Sequence, residues 1–230
     1  MEEVRADGRN RKQLRPLVCS RNLLHRAHGS AQWCQGDTIV LAAVYGPKAG
    51  TKKGENPEKA SIEVIWKPKT GQIGKTEKEY EMILRRTLQS ICILTIHLNT
   101  TTSVILQLLP CAINASCAAL VDAGIPLKHL AVSVSCGLTQ NGSLILDPSK
   151  VEEQELQAFV YMAFPNSPVT VLPQTSSSKE GEPIEHGIIT SASYGSMSVN
   201  DYLCCIDYGR AASAKISEFL RRSLETGQNP

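Results

Sequence analysis

Three glutamates stand close together in LDPSKVEEQELQAF: Glu152, Glu153 and Glu155. Carboxylates at this spacing can offer oxygen ligands to a divalent cation such as Mg2+, which would support hydrolysis of a phosphodiester. The same run equally suits a solvated acidic helix face. A second constellation lies in KPKTGQIGKTEKEYEMILRR, where Lys67, Lys69, Lys75, Lys78, Arg85 and Arg86 fall in one loop-plus-helix unit. Such cations contact nucleic-acid phosphates without reading sequence, and that binding weakens with salt. The plain alternative is an ordinary charged surface. No aromatic platform is read beside these cations, so phosphate contacts without base stacking are expected.

These groups need elements to hold them. Thr76 followed by Glu79 matches a capping box. Ile83, Leu84, Thr87, Leu88, Ile91 and Leu94 then recur at helical spacing, which predicts a helix over 76–94 with Arg85 and Arg86 near its solvent edge. Residues 149–158, which carry the glutamates, read as a short helix. LVCSRNLL, SAQWCQ and TIVLAAVYG read as strands, the last two joined by a Gly36-Asp37 turn. Asp37 is expected to be a turn former. The run Ile39 to Val44 is apolar at every position, which predicts a strand buried on both faces. SIEVIWKP alternates, and TTSVILQLL is rich in β-branched residues. Pro110 suits the first turn of a helix over 111–123, whose small apolar residues require it to lie against a sheet. Asn141-Gly142 joins HLAVSVSCGL to SLILD as a hairpin, with Asp147 expected to turn the chain before Pro148. FVYMAF and GIITSASYG are further strands. Ser198 to Leu224 reads as a long helix with Leu203, Ile206, Ala211, Ile216, Phe219 and Leu220 inside. The order is that of an α+β protein, mixed β-sheets packed with α-helices.

The chain has 230 residues, 42% apolar and 20% charged, which suits a single globular domain over 1–230. Residues 46–60 read as a loop, and 165–186, rich in Pro, Ser and charge, as a mobile insertion. No apolar run reaches membrane-spanning length, and the polar start argues against a secretory signal, so an intracellular protein is expected. The net charge is only +2, but residues 1–28 hold seven Lys/Arg against three Asp/Glu and residues 48–86 hold ten against six. Those stretches fit a polyanion partner as well as they fit chance clustering. None of the eight cysteines forms a CxxC, so reduced core thiols are expected rather than a zinc site.

RADGR, QLRPL, HGSA, QGDT, the two-helix core and the ILD after the Asn-Gly turn, arriving in that order, resemble an RNase PH domain. SRNLLHRAHGSAQWCQGDTIVLAAVYGPK and LLPCAINASCAALVDAGIP are similar to RNase PH-like subunits of the RNA exosome in their plant form. The resemblance covers about residues 5–165 and the C-terminal helix. It implies the RNase PH fold and a place in a ring of such subunits, binding single-stranded RNA during 3′–5′ processing and degradation. It implies residence in nucleus, nucleolus and cytoplasm. It places Arg85 where the family's helix grips the RNA backbone. Family members hold inorganic phosphate with a Gly-Gly-Thr-Arg-Thr loop at the start of the second helix, by backbone N–H groups, helix dipole and arginine. Here that place reads LQLLPCAINAS, without glycine pair or arginine. Of the family's two acidic positions, the first holds Glu153 and the second Phe159. The expectation is an RNA-binding ring subunit with a degenerate phosphorolytic site. The alternative is an active ribonuclease, phosphorolytic with phosphate or hydrolytic with Mg2+, working as a homodimer outside the complex. An unrelated small-molecule enzyme finds no nucleotide loop, triad or metal motif in its favour.

Overall fold

The computed structural model describes residues 5, 7–49, 59–66, 74–97, 100–106, 110–166 and 187–226. Lys67, Lys69 and most of the 165–186 segment lie outside the described residues.

Nine strands and four helices are described: β1 Leu17–Arg21, β2 Gly29–Gln35, β3 Thr38–Ala49, β4 Ser61–Trp66, α1 Lys75–Ile91, β5 Thr100–Leu106, α2 Pro110–Asp122, β6 Ala131–Thr139, β7 Leu144–Leu146, α3 Lys150–Glu155, β8 Leu156–Pro165, β9 Thr190–Gly195 and α4 Val199–Thr226. The first sheet runs β1-β2-β3-β5-β4 and is mixed, since β4 pairs parallel to β5 through the α1 crossover. The second, β7-β6-β8-β9, is antiparallel throughout.

α2 is the centre of the molecule. Its Ala- and Cys-rich surface packs on β2 and β3 on one side and on β6 on the other. Small side chains let the backbones approach, and at Gly29 of β2 they do so closely: a Cβ there would lie 2.5 Å from the Ala119 carbonyl oxygen. α1 covers β4, while α4 lies across β6 and β8. Trp33 of β2, fully buried, meets Phe219 of α4 edge-on at 5.5 Å between centroids. Helices between sheets give both faces of α2 an apolar partner, which is why that segment carries no polar stripe.

Several local expectations are corrected. The helix after β4 begins at Gly74, whose N–H donates to Glu77 Oε2 at 2.9 Å, so Glu77 rather than Glu79 completes the cap. β3 continues past Gly46-Pro47 to Ala49, with a register shift between Tyr45 and Lys48 absorbing the proline. Ile39 and Leu41 are not buried on both faces: they are 51% and 37% exposed, because they project from the face of the sheet away from α2. On α4, Leu203 and Ala211 face solvent, and Cys205, Ala212, Ile216 and Leu220 form the buried stripe. All eight cysteines are free thiols, five of them buried. Burial pushes the thiols of Cys92, Cys111 and Cys117 up to about 12.

Candidate nucleic-acid interface

The segment from Arg5 to Arg15 is held by β7 and α3. Asp147 ends β7 at φ +51°, a left-handed conformation that aspartate tolerates, and is 1% exposed. Its carboxylate takes Arg15 Nη2 at 2.6 Å and the Arg15 backbone N–H at 2.8 Å. Arg15 continues to Thr38 Oγ1 at 2.9 Å, and its side chain passes beneath Gly36, where a Cβ would meet Arg15 Cδ at 2.9 Å. Arg5 grips Glu152 through Nε at 2.7 Å and Nη2 at 2.6 Å, and donates to the Leu146 and Asp147 carbonyls. Arg9 donates to Asp7 and to the Asp147 carbonyl. The arginines of RADGR and QLRPL, the turn of QGDT and the aspartate of ILD are thus one clasp. Asp37 sits exposed at the tip of the β2–β3 hairpin.

The three glutamates on α3 point to different surroundings. Glu152 belongs to the clasp, and its second carboxylate oxygen also accepts the Ser149 backbone N–H at 2.7 Å, completing a capping box. Burial would raise its pKa, but hydrogen bonds from Arg5 and Ser149 and the charge of Arg5 hold it below the usual carboxylate range. Glu153 turns inward and accepts the Tyr161 hydroxyl at 3.4 Å. Burial raises its pKa, with Arg15 and Tyr161 opposing in part. Glu155 is exposed, on a cleft of about 580 Å³ that it shares with Arg5, Gln140 and Glu152. Among the described residues no group of three His, Cys, Asp or Glu is arranged to hold a metal ion. The glutamates therefore do not fit a shared Mg2+.

Of the expected phosphate-binding cations, Lys75, Lys78, Arg85 and Arg86 are all exposed on the outer half of α1. Glu77, Glu79 and Glu81 stand among them, so the charges along the helix alternate and leave only a small positive excess. The first turn of α2 is covered: Cys111 and Ala112 are fully buried, and the Cys111 thiol lies 3.4 Å from Gln35 Oε1. Cys111 lies close enough to Arg15, Asp147 and Glu153 to feel their charges.

The structure also assembles what sequence reading missed. Tyr80 of α1 lies 6.1 Å from Trp66, 6.4 Å from Tyr161 and 6.2 Å from Tyr194, centroid to centroid. Phe159 and Tyr194, opposite each other in the β8–β9 ladder, stack at 5.0 Å with an interplanar angle of 27°. Trp66 and Tyr161 are buried, while Tyr80, Phe159 and Tyr194 are partly open to solvent. Helical spacing places Tyr80 above Leu84 and Thr87, and strand alternation places Phe159 beside Tyr161. Only the pairing of β9 with β8, across a long connection, was without a local signal.

Residues 13–126 match the 3′ exoribonuclease family, domain 1, the RNase PH domain. The chain is 66% identical to the exosome complex exonuclease RRP46 homolog of Arabidopsis thaliana, over 98% of this chain and 97% of that one. It is 65% identical to the rice protein of the same name, over 98% and 97%. The crystal structure of rice Rrp46 superposes with a TM-score of 0.83 at 62% identity, covering 96% of this chain and all of that one. An archaeal exosome core subunit shares the fold at TM-score 0.73 and 19% identity, over 94% of this chain and 91% of that one. The chain belongs to the RNase PH family of 3′ exoribonucleases.

Proposed function

We propose that the protein is an RNase PH-like subunit of the RNA exosome core, binding single-stranded RNA during 3′–5′ processing and degradation beside other RNase PH-like subunits. The observation that carries this reading is end-to-end similarity, at 66% identity, to a protein named as an exosome complex exonuclease. The geometry supports a subunit that holds RNA rather than one that phosphorolyses it. The chain has no Gly-Gly-Thr-Arg-Thr loop at the start of α2, and the first described turn there is packed against Gln35 instead of presented to an anion. α1 supplies exposed cations, Lys75, Lys78, Arg85 and Arg86, for the phosphates; Lys67 and Lys69 precede them in the chain. The first sheet supplies a face for a neighbouring subunit, with Val18, Ile39 and Leu41 at 55%, 51% and 37% exposure on its outer side. Residence in nucleus, nucleolus and cytoplasm belongs to the same reading. Its test is co-expression with other RNase PH-like exosome subunits: co-elution as a ring supports it, and failure to associate with any of them contradicts it.

A second reading, an active ribonuclease acting as a homodimer outside the complex, keeps one observation. Glu153 is inward-facing, its pKa is raised by burial, and it sits at the family's first acidic position. A carboxyl so placed suits proton transfer. In that case Glu153→Gln abolishes RNA turnover while leaving RNA affinity unchanged, and Glu152→Gln acts through stability. Glu155 is exposed on the cleft it shares with Arg5 and Glu152, and its alanine variant has little effect on turnover.

A further inference from the structure

Where the family resemblance implies a second acid, this chain has Phe159, and its ring does not fill the core. It stacks on Tyr194 across the β8–β9 ladder, and Tyr80 of α1 stands edge-on to Tyr194 at 82°. The chain is only 5% aromatic, yet five of its rings gather at one place, Trp66 and Tyr161 in the core and Tyr80, Phe159 and Tyr194 packed against it but partly open. The Tyr194 hydroxyl is buried without a hydrogen-bond partner, so nothing described anchors this ring by its polar end. Burial pushes its pKa to about 12. The first turns of α1 carry the exposed Lys75 and Lys78, five and two residues before Tyr80 and around the helix from its ring. Glu153, Glu79 and Glu77 act on Tyr80, and Glu79 on Tyr194, so the surroundings of the rings favour a neutral base over a phosphate.

We propose that Tyr80, Phe159 and Tyr194 form a stacking platform for a nucleobase of single-stranded RNA, with the phosphates directed along α1 toward Lys75 and Lys78. The platform occupies the position of a lost acid, so it retains an RNA strand where a catalytic family member would cut it. Base–aromatic stacking tolerates every base, which suits a subunit that handles RNA of any sequence. This proposal rests on the RNA-binding reading above.

The test uses the full chain with two probes of equal length, a fluorescent oligouridylate and its abasic ribose-phosphate counterpart. The wild type binds the oligouridylate about tenfold more tightly than the abasic strand, the scale of one stacked base. Tyr194→Leu and Phe159→Leu each remove that preference without changing the salt dependence of the remaining affinity. Tyr194→Phe, which keeps the ring and deletes only the unpartnered hydroxyl, retains it. Thermal unfolding of each variant identifies any loss due to misfolding, and Tyr194→Phe decides the matter if the leucine variants do not fold: with that variant folded, loss of its base preference overturns the platform. Equal binding of both probes by the wild type overturns the platform alone. Failure to bind either probe overturns the RNA-binding reading itself.

Discussion

Arg15 and Asp147 face each other with side chains 9% and 1% exposed. Removing one partner of a buried pair leaves the other charged in a poorly solvated site, a loss of about 3–5 kcal/mol. Arg15→Met should lower stability by that amount in urea unfolding. The neighbouring glutamates titrate in opposite senses. Glu152 is held below the usual carboxylate range, so its contribution is present above the unfolded pKa of about 4.3 and is lost as pH falls through its lower folded value. Glu153 is raised, so its ionisation works against folding once pH exceeds its folded pKa. Glu153→Gln should therefore stabilise the protein at pH 7, and the gain should vanish below about pH 4, where both states of the wild-type carboxyl are protonated. A Glu153→Gln curve parallel to wild type at every pH would contradict this. The residues of the clasp were visible in sequence as motifs of a resemblance. Their mutual contacts were not, because Arg15 and Asp147 lie 132 positions apart and no local pattern pairs them.

The elements were more legible than their faces. Periodicity, apolar runs, β-branched content and turn residues together located the described strands and helices, since burial on one side imposes a period. Bounds and faces were less legible: the helix read over 149–158 ends at Glu155, and the chain enters β8 at Leu156. The run Ile39 to Val44 is apolar throughout, yet only one side of β3 meets α2; an apolar run cannot say whether its second face meets a helix or another molecule. On α4, Ile216 and Leu220 are buried as read and Ile206 and Phe219 pack against the core, but Leu203 and Ala211 face solvent and Cys205 and Ala212 take the buried positions, because small residues and cysteines there blur the apolar pattern. Close packing of α2 on β2 makes its own prediction. Gly29→Ala places a methyl against the Ala119 carbonyl and the Ala123 backbone nitrogen, so α2 must shift. The expected cost is about 1–3 kcal/mol, measured by thermal or urea unfolding. α1 makes another. Lys75→Glu with Lys78→Glu should flatten the dependence of log Kd on log salt by at least about 1, since each phosphate contact to a single strand contributes about 0.7. An unchanged slope would mean that the phosphates run elsewhere.

At the scale of the molecule, two sheets enclose α2 and leave one outer face apolar. Val18, Ile39 and Leu41 lie side by side there, because β1, β2 and β3 pair Val18 with Cys34, Cys34 with Ile39 and Gln32 with Leu41. Ile39→Lys with Leu41→Lys should leave the melting temperature nearly unchanged and prevent co-elution with neighbouring subunits, because these side chains already face water in the isolated chain. On the proposed reading, this family member retains RNA without phosphorolysing it. The direct measurement incubates the pure protein with 5′-labelled single-stranded RNA in phosphate, in Mg2+ or in neither, and identifies any released nucleotide. The prediction is RNA bound and intact in all three. Nucleoside diphosphates released only with phosphate, and abolished by Glu153→Gln, would contradict it.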